Sequence, residues 1–251
     1  MRIISVELGK TAAIRRFLFI AFLYAAVSAE VDAFFLREDN EYLGWLSEQG
    51  RINFAHIAAS LAGFSVVLLL AFGYAGCTDE TDYLRDAGWK RVSFRYLVLG
   101  ALIGTATAVT AMVLRDTALF KHGLHINISS SGLAHKNSVY GVSVWAAIKI
   151  LLVPPIEEFV FRGVLFKELG RAWGTVSSGF MVTVLFVIAH MASAQGNFGS
   201  LFMIAVFGAI VMTARIITKS LAPGMVMHGA HNLVVAIWMI AISARFTGTE
   251  T

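Results

Sequence analysis

Two adjacent glutamates, Glu157 and Glu158, stand in an otherwise apolar stretch, just after the proline pair Pro154–Pro155 and just before Arg162. Charged side chains are costly in such surroundings, usually face a protein interior, and mark function. Glu158 and Arg162 are four residues apart, so on a helix they share a face and can neutralise each other. That pairing meets the needs of helix insertion and leaves Glu157 over. Its side chain projects about 100° away round the helix and has no local partner. A carboxylate placed in this way suits general-base work.

Two further groups could join it. Phe186–Val187–Ile188–Ala189–His190 sets an imidazole one turn after an aromatic, a pattern that by itself also fits a core or interfacial histidine. His228–Gly229–Ala230–His231–Asn232 puts His228 and Asn232 on one helical face. Gly229 and Ala230 allow a neighbouring helix or a substrate to approach closely. His231 can also point inward, and periodicity does not separate the two histidines. A carboxylate, an imidazole and a His/Asn donor pair are the parts needed to add water to an amide. The first two position and deprotonate the water, and the donors meet the developing oxyanion.

The elements that must hold these groups are membrane helices. Of 251 residues, 57% are hydrophobic and 14% charged, against roughly a quarter charged in soluble domains. A surface covered with water is therefore excluded for most of the chain. A spanning helix takes about 20 apolar residues. Seven stretches qualify: Phe17–Phe35, Phe54–Gly76, Tyr96–Leu114, Tyr140–Phe166, Val176–Met191, Leu201–Ala214 and Leu221–Ser243. The fourth is broken by the prolines, and the sixth is short for a full crossing. The expected fold is an all-α polytopic transmembrane bundle with one possible extra or broken helix. Residues 1–138 form a three-helix membrane region with an extramembrane loop, Arg115–Val139, and residues 139–251 carry the motifs. Together they make one integrated membrane domain.

Positive charge orients the bundle. Twelve Lys and Arg residues fall in the N-terminal stretch and in the second, fourth and sixth connections, against six in the alternating ones. Lys167 with Arg171, and Arg215 with Lys219, are assigned to the fourth and sixth connections. The positive-inside rule then places the N-terminus inside. The net charge of +4 follows from this enrichment, and no basic run interleaved with aromatics points to nucleic acid.

Val27–Ser28–Ala29 resembles a signal cleavage site, but the apolar run continues through Ala33–Phe34–Phe35, so the segment is read as a retained span. Cys77, the single cysteine, is incompatible with an internal disulfide. Glu30 and Asp32 read as a solvated helix end, and His56 as the start of the second segment. Lys149 reads as a snorkelling side chain or as the partner of an acid.

The ordered set Glu157–Glu158–Arg162, Phe186–His190 and His228–Asn232, on successive membrane segments, resembles the CAAX protease and bacteriocin-processing family. That family includes glutamic-type intramembrane prenyl-protein endopeptidases. The resemblance runs from about Ser143 to Ile242 and includes Gly163–Val164–Leu165–Phe166 and Ser220–Leu221–Ala222–Pro223–Gly224. It implies that Glu157 is the general base, helped by His190, and that His228 and Asn232 form an oxyanion hole. Glu158 and Arg162 then orient the first group. No covalent intermediate and no cofactor is implied. Zinc held by Glu157, His190 and His228 stands as a second reading. The implied partners are the lipid bilayer and a membrane-anchored or lipid-proximal peptide or protein, and the implied site is the prokaryotic inner membrane. A non-catalytic immunity or scaffold relative and a transporter or proton relay are the competing functions.

One tension remains at this level. His190 lies some way along the fifth segment, about 21 Å from its inner end at 1.5 Å per residue. Glu157 and His228 read as nearer the inner face.

Overall fold

The computed structural model describes residues 2–36, 83–115, 146–191, 194 and 197–247, together with 58, 61–63, 65–67 and 69–70. In chain order the elements are α1 (Arg2–Leu36), the single turn α2 (Tyr83–Asp86), α3 (Phe94–Arg115), α4 (Val153–Glu157), a π-helical stretch (Glu158–Leu165), α5 (Phe166–Trp173), α6 (Thr175–Ala189), α7 (Phe198–Thr218) and α8 (Ala222–Thr247). The described residues include no strand. Among them, four stretches are long and apolar enough to cross a membrane: Lys10–Val31, Phe94–Leu114, Phe198–Thr218 and Ala222–Ala241. α6 is a shorter apolar helix. The chain is an integral membrane helical bundle. Most of the second expected segment, His56, Cys77 and the loop beyond Arg115 lie outside the described residues. The described positions within the second segment are helical.

Large apolar side chains on the outer faces, including Phe19, Phe22, Leu102, Val113, Phe180 and Phe202, are exposed, as lipid-facing helices require. Inward, α1 uses a helical period: Ala13, Phe17 and Ile20 are buried, and Tyr24 meets the ring of Phe161 edge-on at 6.1 Å. α3 lies almost against the backbone of α8. A Cβ added at Gly100 would fall 2.8 Å from the Pro223 carbonyl oxygen, and one at Gly104 would run into the Met227 backbone. The Gly100-x-x-x-Gly104 spacing is what permits this approach.

Two boundaries differ from the sequence reading. The sixth segment is not short. Asn197 caps the start of α7 by accepting from the Ser200 amide at 2.9 Å, and the helix ends at left-handed Lys219. Arg215 therefore belongs to the helix, not to the connection. It is buried and donates from Nε to Arg162 O at 3.0 Å and from Nη2 to Asp86 O at 3.0 Å. Local composition did not show that this cation would be held by two backbone carbonyls.

The fourth segment likewise runs past Phe166, through α5 to Trp173. Its prolines do not sever it. Helical residues 146–151 reach a turn at Leu152, and the helix restarts with Pro154 and Pro155 in its first turn. There a missing N–H costs nothing. Eight residues beyond it are π-helical, and the Phe166 amide reaches back to Phe161 O. Such widened turns are rare and concentrate at functional sites.

Candidate active site

Glu157 ends α4 and Glu158 opens the π stretch, so the two carboxylates leave the helix where its geometry changes. Glu158 is buried. Its Oε1 accepts from Arg162 Nη1 at 3.3 Å and from His228 Nδ1 at 3.3 Å. Glu157 points the other way. Its Oε2 lies 3.8 Å from His190 Nε2 and 3.9 Å from His228 Nε2. Both separations are too long for a direct hydrogen bond, and this buried oxygen has no partner of that kind.

The imidazoles are oriented from behind. His190 Nδ1 is 2.8 Å from Phe186 O, which can only accept, so Nδ1 carries a hydrogen and Nε2 faces Glu157. The Phe186 ring also lies under His190, with centroids 4.4 Å apart. His228 bridges both carboxylates, one on each ring nitrogen. Asn232 donates one N–H to Lys149 O at 2.7 Å. A carboxamide has two such hydrogens.

The apparent mismatch in level disappears in the fold. Because the fourth segment continues to Trp173, the reversal at Gly174 (φ 76) falls midway in sequence between Glu157 and His190. Only glycine adopts such a φ readily. Two arms of equal length return His190 to the height of Glu157.

Arg162 is fully buried. Besides Glu158 it touches the Phe186 ring, with Cζ 3.9 Å from the centroid, and Nη2 reaches Gly208 O at 3.5 Å. A Cβ at Gly224 would lie 3.0 Å from Glu158 Oε2, so α8 must present glycine there for the acid to fit. Glu158, Arg162, Phe186 and His228 thus form a closed support, with Glu157 and His190 on its open side.

Residues 140–234 match the family described as type II CAAX prenyl endopeptidase Rce1-like. Glu157, Glu158, Arg162, His190, His228 and Asn232 all fall within the matched range. The match is confined to this stretch. No curated protein and no solved structure matches it.

The matched region borders a cavity of about 570 Å³ lined by Glu157, His190, His228, His231, Asn232 and Lys149, and by apolar residues of α3, α7 and α8. α3 lies outside the matched region, yet it supplies Ile103, Thr107 and Ala111 to the wall. The sequence reading missed these because nothing in an apolar helix says which neighbour it will face. His231 does point inward. Its Nδ1 is 3.1 Å from Thr107 Oγ1, whose own hydrogen goes to Gly104 O at 2.8 Å, so His231 is the donor.

Zinc on Glu157, His190 and His228 is the second reading of this site. Bonds of about 2.1 Å set ligand atoms about 3.4 Å apart, closer than the 3.8 and 3.9 Å found here. Among the described residues no group of three or more His, Cys, Asp or Glu is placed to hold a metal ion.

Proposed function

We propose that the protein is an intramembrane endopeptidase in which Glu157 and His190 activate water. The observation that carries this reading is the buried, unbonded Glu157 Oε2, facing two imidazole Nε2 atoms at 3.8 and 3.9 Å. Such gaps suit one bridging water. That water gives one hydrogen bond to Glu157 and one to His190 Nε2, and turns a lone pair towards the cavity. Glu157 takes its proton as the oxygen adds to the scissile carbonyl carbon. The new oxyanion meets His228 Nε2–H and the second N–H of Asn232. Glu157 then passes the proton to the leaving nitrogen as the C–N bond breaks, releasing a carboxylic acid and an amine.

His228 Nδ1 faces Glu158 on the other side of the ring. The substrate is a membrane-anchored or lipid-proximal peptide, and the setting is the cytoplasmic membrane of a prokaryote with the N-terminus inside.

The test uses purified protein in liposomes with a library of membrane-anchored peptides, read by mass spectrometry. Cleavage by wild type that resists a chelator and disappears in Glu157→Gln supports the reading. Chelator-sensitive cleavage replaces it with a zinc mechanism. Identical behaviour of wild type and variant across the library removes it in favour of a non-catalytic or transport role.

A further inference from the structure

His231 stands beside Asn232 on α8, outside the motif set, yet it lines the same cavity. Its ring is held on two sides. The Phe207 ring lies 4.7 Å away between centroids, and the same phenyl meets His228 at 5.4 Å. On the other side Nδ1 lies 3.1 Å from Thr107 Oγ1, whose own hydrogen is given to Gly104 O. Nδ1 therefore carries a hydrogen. Among the described residues no carboxylate pairs with this imidazole, and a neutral ring has one N–H and one acceptor nitrogen. Nε2 is that acceptor, and no described group donates to it.

A peptide entering an apolar cavity brings an N–H with almost every residue, and each one buried without an acceptor is costly. His231 offers an acceptor next to a donor. Asn232 follows it by one residue, a rise of about 1.5 Å, and has one N–H left after bonding Lys149 O. In an extended chain a residue turns its N–H and its C=O to the same side, as in the hydrogen-bonded pairs of a β-ladder. An acceptor and a donor at nearly one height on one helix match the two polar groups of a single extended residue.

We propose that His231 Nε2 accepts the backbone N–H of the substrate residue that supplies the scissile carbonyl, while Asn232 meets that carbonyl. This rests on the protease reading above. Thr107 is a positioning residue that acts through His231 by fixing the hydrogen on Nδ1, and it does so from α3, outside the matched stretch. The contact favours an extended backbone and rejects a residue without an N–H, such as proline, at that position.

The experiment replaces one backbone amide at a time by an ester in a membrane-anchored peptide, removing a single N–H with little change of shape. Wild type, His231→Phe, His231→Gln and Thr107→Val are each assayed for kcat/KM. One neutral hydrogen bond corresponds to about a three- to tenfold effect. Wild type should lose that factor when the ester removes the N–H of the residue before the cut. His231→Phe should cut this ester and the all-amide peptide equally, and His231→Gln, whose carboxamide oxygen can accept, should keep part of the difference. A merely structural His231 would lower the rate on every peptide by one factor and leave the ester penalty in place. That outcome overturns the proposal, as does a wild type indifferent to the ester. If His231→Phe does not fold, Thr107→Val decides: its ester penalty should shrink, and a penalty as large as in wild type overturns the proposal.

Binding of the same peptides to Glu157→Gln protein, by fluorescence anisotropy, separates this contact from the protease reading. Amide-selective binding at one backbone position, abolished by adding His231→Phe, keeps the contact even if no peptide is cut. Equal binding of the amide and of every ester removes it even if cleavage is observed.

Discussion

Glu157 and Glu168 lie on one helical run, both largely shielded from solvent, yet their surroundings are opposite. Glu168 on α5 is saturated. Arg16 Nε donates to it at 2.9 Å, the Tyr83 hydroxyl donates at 3.1 Å, and Arg171 approaches to 4.0 Å. Burial and the charge of Glu168 push the Tyr83 phenol up, so its hydrogen stays in that bond. Lys167 lies over the Tyr83 ring, 3.3 Å from its centroid. This cluster joins α1, α2 and α5. Glu157 has no such shell on Oε2, and the nearest imidazole nitrogens stand almost 4 Å off. A satisfied buried acid holds helices together, whereas an under-bonded one is available to substrate.

That contrast predicts separable losses. The largest is in activity. Glu157→Gln should lower peptide cleavage by about 10²–10⁴-fold, the usual range for a general base, with the melting temperature in detergent hardly moved. A strong fall in melting temperature would instead class Glu157 with Glu168. Arg162→Met should act on both sides of the comparison. It leaves the buried carboxylate of Glu158 without its cation, a loss of about 3–5 kcal/mol, read by denaturant or thermal unfolding in detergent. Folded protein at wild-type stability would show that Glu158 does not need the ion pair.

Glu168→Ala should cost about 1–3 kcal/mol through the orphaned Tyr83 hydroxyl. Arg16 adds little, because its side chain is 31% exposed and water can take it over. The rate per folded molecule should stay at the wild-type level, and a selective fall in kcat would join the two regions that this comparison separates. Tyr83→Phe removes one hydrogen bond and should give the smallest change, about 1 kcal/mol, again visible in unfolding and not in turnover.

The membrane character was legible because lipid acts on composition. A helix that crosses a bilayer must be apolar for about 20 residues, so hydropathy finds it without reference to any partner. The ionisable residues stood out for the same reason, and Glu157, Glu158, Arg162, His190, His228 and Asn232 could be named from type and spacing. Other features depend on contacts between distant parts of the chain. Arg215 was taken for a loop charge because its acceptors, Arg162 O and Asp86 O, lie far away in sequence. The Gly100–Gly104 seam was missed because its meaning depends on the α8 backbone passing there. The wall that α3 lends to the cavity was invisible for the same reason.

By itself, then, the order of residues determined which helices enter the membrane and which polar groups they carry inward, since burial in lipid acts on each segment alone. The tertiary structure decided how those groups meet. The reversal at Gly174 brings His190 level with Glu157, and the π stretch sends adjacent carboxylates in different directions. α8 lays His228 across both. Whether a glutamate becomes a structural anchor or a reactive base depends on how many donors reach its oxygens, and those donors arrive from other helices.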